Sequence, residues 1–69
     1  MEELIRLIFG KNVRKFRIKN GLTQEKLAEV TGIDYKYIQR IEGKKPPNVR
    51  IETVAKFAKA LKIRSSDLL

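Results

Sequence analysis

The chain contains no cysteine and no histidine. A short chain without cysteine has no disulfide to staple it, so its helices must hold themselves together. With histidine missing as well, the usual zinc ligands, thiol nucleophiles and imidazole bases are gone. No apolar run approaches the roughly twenty residues that span a bilayer, and no basic segment leads into a sustained apolar one at the start. The four glycines form no phosphate-cradling motif. Acidic residues are few: eight Asp and Glu stand against sixteen Lys and Arg, a formal net charge of +8. An enzyme is not expected, nor a cofactor, a metal or a small-molecule ligand.

What is present suffices for one small domain over 1–69, with room for a single core, since 42% of its 69 residues are apolar. The charge attracts polyanions, either nucleic acid or an anionic membrane. A membrane-surface helix needs a wide, continuous apolar face bordered by aromatic residues, and no stretch has one.

Along the chain, a first helix is expected from about Glu2 to Lys19, stopped at Asn20-Gly21. Ile5, Phe9, Val13 and Phe16 line one side. Leu4, Leu7 and Ile8 make a second stripe, and Gly10 sets this first part, 1–10, apart as an extension. Either the helix runs on and exposes the stripe, or it breaks at Gly10 and folds back. The stripe covers its own core in one reading and a second copy of the chain in the other. Leu22 then plugs the core. After the loop Gly43 to Arg50, where Pro46 and Pro47 bar a helix, Ile51, Val54, Ala58 and Leu61 repeat at three and four. They mark a helix from Ile51 to Leu61 with Phe57 at the margin of its buried face. A short turn follows, capped by Ser65 or Ser66, with Leu68 and Leu69 returning to the core.

The stretch 23–42 organises the rest. Leu27, Ala28, Ile33, Ile38 and Ile41 are its apolar positions, and neither half is long enough to bury them alone. Gly32 between the halves can take a positive φ and turn the chain sharply. Thr23 and Asp34 are placed to cap the two short helices. On the second of these, Ile38 and Ile41 fall on one side, and Lys36, Gln39 and Arg40 on the other.

Gln24, Ala28, Gly32, Ile33, Ile38 and Ile41 stand at the offsets of a bacterial or phage helix-turn-helix, and the chain from Lys11 to Leu69 resembles the Cro and phage-repressor (XRE-type) family. The resemblance implies an all-α, five-helix, lambda-repressor-like domain whose third helix enters the major groove of DNA. It implies a sequence-specific transcriptional regulator, expected to be a repressor, acting in the cytoplasm on the nucleoid as a homodimer on a roughly palindromic duplex. Base contacts then fall to Tyr35, Lys36, Gln39 and Arg40. Arg40 can fork onto guanine, Lys36 can offer it a point charge, and Tyr35 can pack its ring on a thymine methyl or hydrogen-bond a phosphate. Phosphate contacts fall to Thr23, Gln24, Tyr37, Lys44, Lys45 and Asn48, which hold register without reading sequence. Arg17 and Glu42 occupy the positions of a family ion pair joining the first helix to the end of the third. The loop 43–50 is about one residue longer than the common form, and Arg50 replaces a small polar cap. The competing reading is a protein-interaction module of the same fold, antitoxin- or coactivator-like, with only nonspecific affinity for DNA.

Overall fold

The computed structural model describes residues 2–69, so the first residue of the 1–10 extension lies outside it. Four α-helices follow in order: α1 (Glu2–Lys19), α2 (Gln24–Thr31), α3 (Tyr35–Ile41) and α4 (Ile51–Leu61). A 3₁₀ turn over Ser65–Leu68 takes the place of the expected fifth helix. Four residues are too few to close an α-helical ladder, and i→i+3 bonding makes better use of them.

The core is drawn from every element. Phe9 and Val13 of α1, Leu27 of α2, Ile38 and Ile41 of α3, Phe57, Ala58 and Leu61 of α4, and Leu68 of the turn are all buried. Phe9 and Phe57 meet edge to face, 5.9 Å between ring centroids, a geometry that suits the quadrupoles of the two rings. Phe57, expected at the margin of α4, is thus at the centre of the molecule. Ile51, expected inside, is 86% exposed. The buried stripe of α4 is Phe57, Ala58 and Leu61, and Ile51 begins the helix almost two turns before it.

Gly10 resolves the two possible courses of α1: the helix continues straight through it. A Cβ at this position would overlap the backbone carbonyl of Ile41, so the absence of a side chain lets α1 lie directly against the end of α3. Beyond this contact Leu4, Ile5 and Ile8 are exposed and Leu7 is half-buried. Ile5, expected to follow Phe9 inward, lies outside the core.

The far end of the chain is tied back to α1, because Asn12 Nδ2 donates to the Leu68 carbonyl at 3.0 Å. Leu68 is fully buried, but Leu69 is 66% exposed and does not return to the core. The turn is capped by Asp67, whose carboxylate accepts from the Arg64 backbone N–H; neither Ser65 nor Ser66 serves. Among the described residues, no helix is long and apolar enough to cross a membrane.

Candidate nucleic-acid interface

Thr23 caps α2: its Oγ1 accepts from the Lys26 backbone N–H at 3.0 Å, which satisfies one of the donors a helix start leaves open. At the other end Gly32 adopts φ 73°, ψ 12° and its N–H returns to Ala28. Only a residue without Cβ takes that left-handed conformation freely. The Thr31 hydroxyl fastens the bend, donating to Leu27 O at 2.7 Å and accepting from the Ile33 N–H at 3.2 Å. The direction in which α3 leaves is therefore set by local chemistry.

Asp34 begins α3 as expected by position, but its carboxylate makes no capping bond. Its backbone carbonyl takes the Tyr37 and Ile38 N–H groups instead. The side chain is exposed, and at an exposed helix start water competes well for the carboxylate. Arg50 likewise starts α4 without a side-chain cap.

On α3 the two faces separate cleanly. Ile38 and Ile41 have no exposed surface, while Tyr35, Lys36, Gln39 and Arg40 are exposed. Seven residues give a helix about 10 Å long, which suits a major groove about 12 Å wide. Gln39 Nε2 donates to the Tyr35 hydroxyl at 3.1 Å, one turn apart on the outer face.

Behind α3 stands a half-buried brace. The Arg17 guanidinium grips Glu42 through two bonds, Nε to Oε2 at 2.8 Å and Nη2 to Oε1 at 2.9 Å, and its third nitrogen donates to the Leu22 carbonyl at 2.8 Å. Such planar two-point pairing is the strong form of a salt bridge. Gln24 joins it, its Nε2 donating to Glu42 Oε1 at 3.1 Å. The start of α2, the end of α3 and the end of α1 thus share one network.

Of the expected phosphate contacts, Thr23, Lys44, Lys45 and Asn48 are exposed and Gln24 is half-buried. Thr23 keeps its hydroxyl proton while its oxygen caps α2. The Tyr37 hydroxyl is engaged, donating to the Asn48 carbonyl at 3.0 Å and fastening the loop to α3. Arg14, absent from the expected set, lines an open concavity with Arg17, Gln24, Gln39 and Gly43. Its signal was its place three positions before Arg17, on the same face of α1. Lys44 and Lys45 border a neighbouring hollow together with Arg6.

Two short helices crossed at a left-handed glycine, the second buried on one side and cationic on the other, define a helix-turn-helix DNA-binding unit. By sequence the chain belongs to the helix-turn-helix family of the XRE type, whose family model matches residues 13–68. It is 40% identical to the control protein C.BamHI of Bacillus amyloliquefaciens over 70 aligned positions, which span 100% of this chain and 85% of that one. Its structure is similar to that of the restriction-modification controller protein C.AhdI from Aeromonas hydrophila, with a TM-score of 0.85, 34% identity, and 93% of this chain and 96% of that chain covered. It is also similar to C.Esp1396I bound to a 19 base pair DNA duplex, with a TM-score of 0.82, 26% identity, and 93% and 84% covered.

Proposed function

We propose that this protein reads double-stranded DNA with the outer face of α3. Two copies bind as a homodimer and place their third helices in successive major grooves of a roughly palindromic site, about one helical turn apart. That it is a DNA-binding transcriptional regulator follows from the family and from relatives that are themselves controllers. The observation that carries the reading is the division of α3, where Lys36, Gln39 and Arg40 face solvent and Ile38 and Ile41 are sealed in the core. Tyr35, Lys36, Gln39 and Arg40 supply base contacts; Thr23, Gln24, Lys44, Lys45 and Asn48, joined by Arg14, supply phosphate contacts, while Tyr37, expected among them, has given its hydroxyl proton to the Asn48 carbonyl and holds the loop instead. Repression is the sense of regulation that the family resemblance implies, and restriction-modification genes are proposed as targets by similarity to the controller protein C.AhdI.

Support for a second copy comes from apolar surface. Leu4, Ile5, Ile8, Ile51 and Leu69 are exposed, and Ile5, Val49, Val54 and Leu69 line an open apolar groove. An exposed apolar groove of this kind marks a contact site on a small protein. One module buries only about 600 to 1,000 Å² of its own surface on DNA, so pairing is also the natural way to reach regulatory affinity.

Selection of duplexes from a random pool tests the reading, followed by titration of the recovered site and of random DNA at several salt concentrations. Affinity for both should fall steeply with salt, with the recovered site bound more tightly throughout. Arg40→Ala should cost about 1 to 3 kcal/mol on the recovered site and little on random DNA, and Lys44→Ala should weaken both alike. Equal losses for Arg40→Ala on the two DNAs would remove it from the reading face. A pool that yields no motif would leave only an interaction module with nonspecific affinity.

A further inference from the structure

We infer that Gln39 reads an adenine in each half-site, and that the Tyr35 hydroxyl is what restricts it to adenine. The inference rests on the reading face proposed above and adds a base identity to one of its positions.

An unengaged glutamine amide offers two N–H donors and one carbonyl acceptor. It can therefore satisfy either purine in the major groove. Guanine presents two acceptors there, O6 and N7, and two N–H groups can answer both; adenine presents one acceptor, N7, and one donor, the N6 amino group. In this structure one Gln39 N–H is already given to the Tyr35 hydroxyl at 3.1 Å. One donor and the carbonyl oxygen remain, which is the complement of adenine. Against guanine the same side chain would set its carbonyl oxygen opposite an acceptor, with no proton between them.

Both partners sit where this matters. Tyr35 opens α3 and Gln39 lies one turn later; Gln39 is exposed on the outer face and Tyr35 is exposed at its edge, beside Ile38. The bond to the Tyr35 hydroxyl orients the exposed Gln39 amide. Tyr35 acts here as a positioning residue: it works through Gln39, and its own hydroxyl proton stays free for a phosphate or solvent. Pre-orientation also spares part of the rotamer freedom that an exposed glutamine loses on binding.

The test compares three proteins, the wild type, Tyr35→Phe and Gln39→Ala, each used to select duplexes from one randomised pool. The wild type should recover a motif with adenine fixed at one position of each half-site. Gln39→Ala should lose the preference at that position alone. Tyr35→Phe, which keeps the ring, should admit guanine beside adenine, a change of base identity that mere loss of stability would not produce. On the wild-type motif, replacing that adenine by guanine should weaken wild-type binding about tenfold or more, and Tyr35→Phe binding only about two- to threefold. Replacing it with a deaza analogue lacking N7, or with purine lacking the N6 amino group, should each weaken the wild type and leave Gln39→Ala unchanged. Adenine persisting in the Gln39→Ala pool, or analogues that make no difference to the wild type, would overturn the role of Gln39. Guanine still excluded by Tyr35→Phe would overturn the role of the hydroxyl. A pool without any motif defeats the reading face itself, whereas a clear motif indifferent to Gln39→Ala defeats this inference alone.

Discussion

The Arg17–Glu42 and Lys26–Glu29 pairs both bring nitrogen and oxygen to 2.8 Å, yet their side chains are 12% and 4% exposed in the first and 54% and 71% exposed in the second. Arg17 and Glu42 lie 25 positions apart and are joined by further bonds to Leu22 and Gln24. Lys26 and Glu29 are three apart on one helix, and an unfolded chain brings them near each other anyway. The difference teaches that separation is a poor guide to worth. A pair removed from water has given up hydration and must stay matched, while a pair in water can part at little cost. The exposed pair still leaves an electrostatic trace: the hydrogen bond from Lys26, and then its charge, hold the Glu29 carboxyl below its ordinary range.

Three measurements would break or sharpen this contrast. Glu42→Ala leaves the largely covered Arg17 guanidinium without its carboxylate and should destabilise the fold by up to about 3 kcal/mol, read from the midpoint of urea unfolding at unchanged slope. Gln24→Ala removes one bond to the same carboxylate and should cost about 1 kcal/mol. That cost should vanish in the Glu42→Ala background, and persistence there would place the role of Gln24 outside the network. Lys26→Ala should leave the midpoint within error at neutral pH. Because the Glu29 carboxyl is lowered in the folded state, whatever the exposed pair contributes is present above the unfolded carboxylate pKa and lost as pH falls through the folded one. Any difference between Lys26→Ala and the wild type should therefore close in acid. A Lys26→Ala effect matching that of Glu42→Ala would mean that burial does not separate the two pairs.

Much of this architecture is legible in the sequence because it depends on spacing. The bounds of α1 and α4, the bend at Gly32 and the outward trio on α3 all follow from apolar periods of three and four punctuated by glycine. Where spacing stops deciding, the expectations depart from the structure. Ile51 has the right offset from Val54 and Ala58 but begins its helix ahead of the buried stripe, and Leu69 has the right hydropathy but one position too many. Phe57 is central for the complementary reason: Phe9, 48 positions away, meets it edge to face, and no local pattern encodes that meeting. Asp34 shows the limit of residue-type rules, since a carboxylate at a helix start caps only if the N–H groups outcompete water. In the interface, the pairing of Tyr35 with Gln39 was within reach as an i, i+4 relation. The tether from Tyr37 to Asn48 depends on where the loop folds back.

The contact at Gly10 bears on how the molecule responds to force. Side chains between packed helices act as compliant spacers, able to change rotamer as the helices shift. At Gly10 there is no spacer, only one main chain close against another. A shift of the reading helix at that point has to be met by a shift of α1, since no rotamer there can give way.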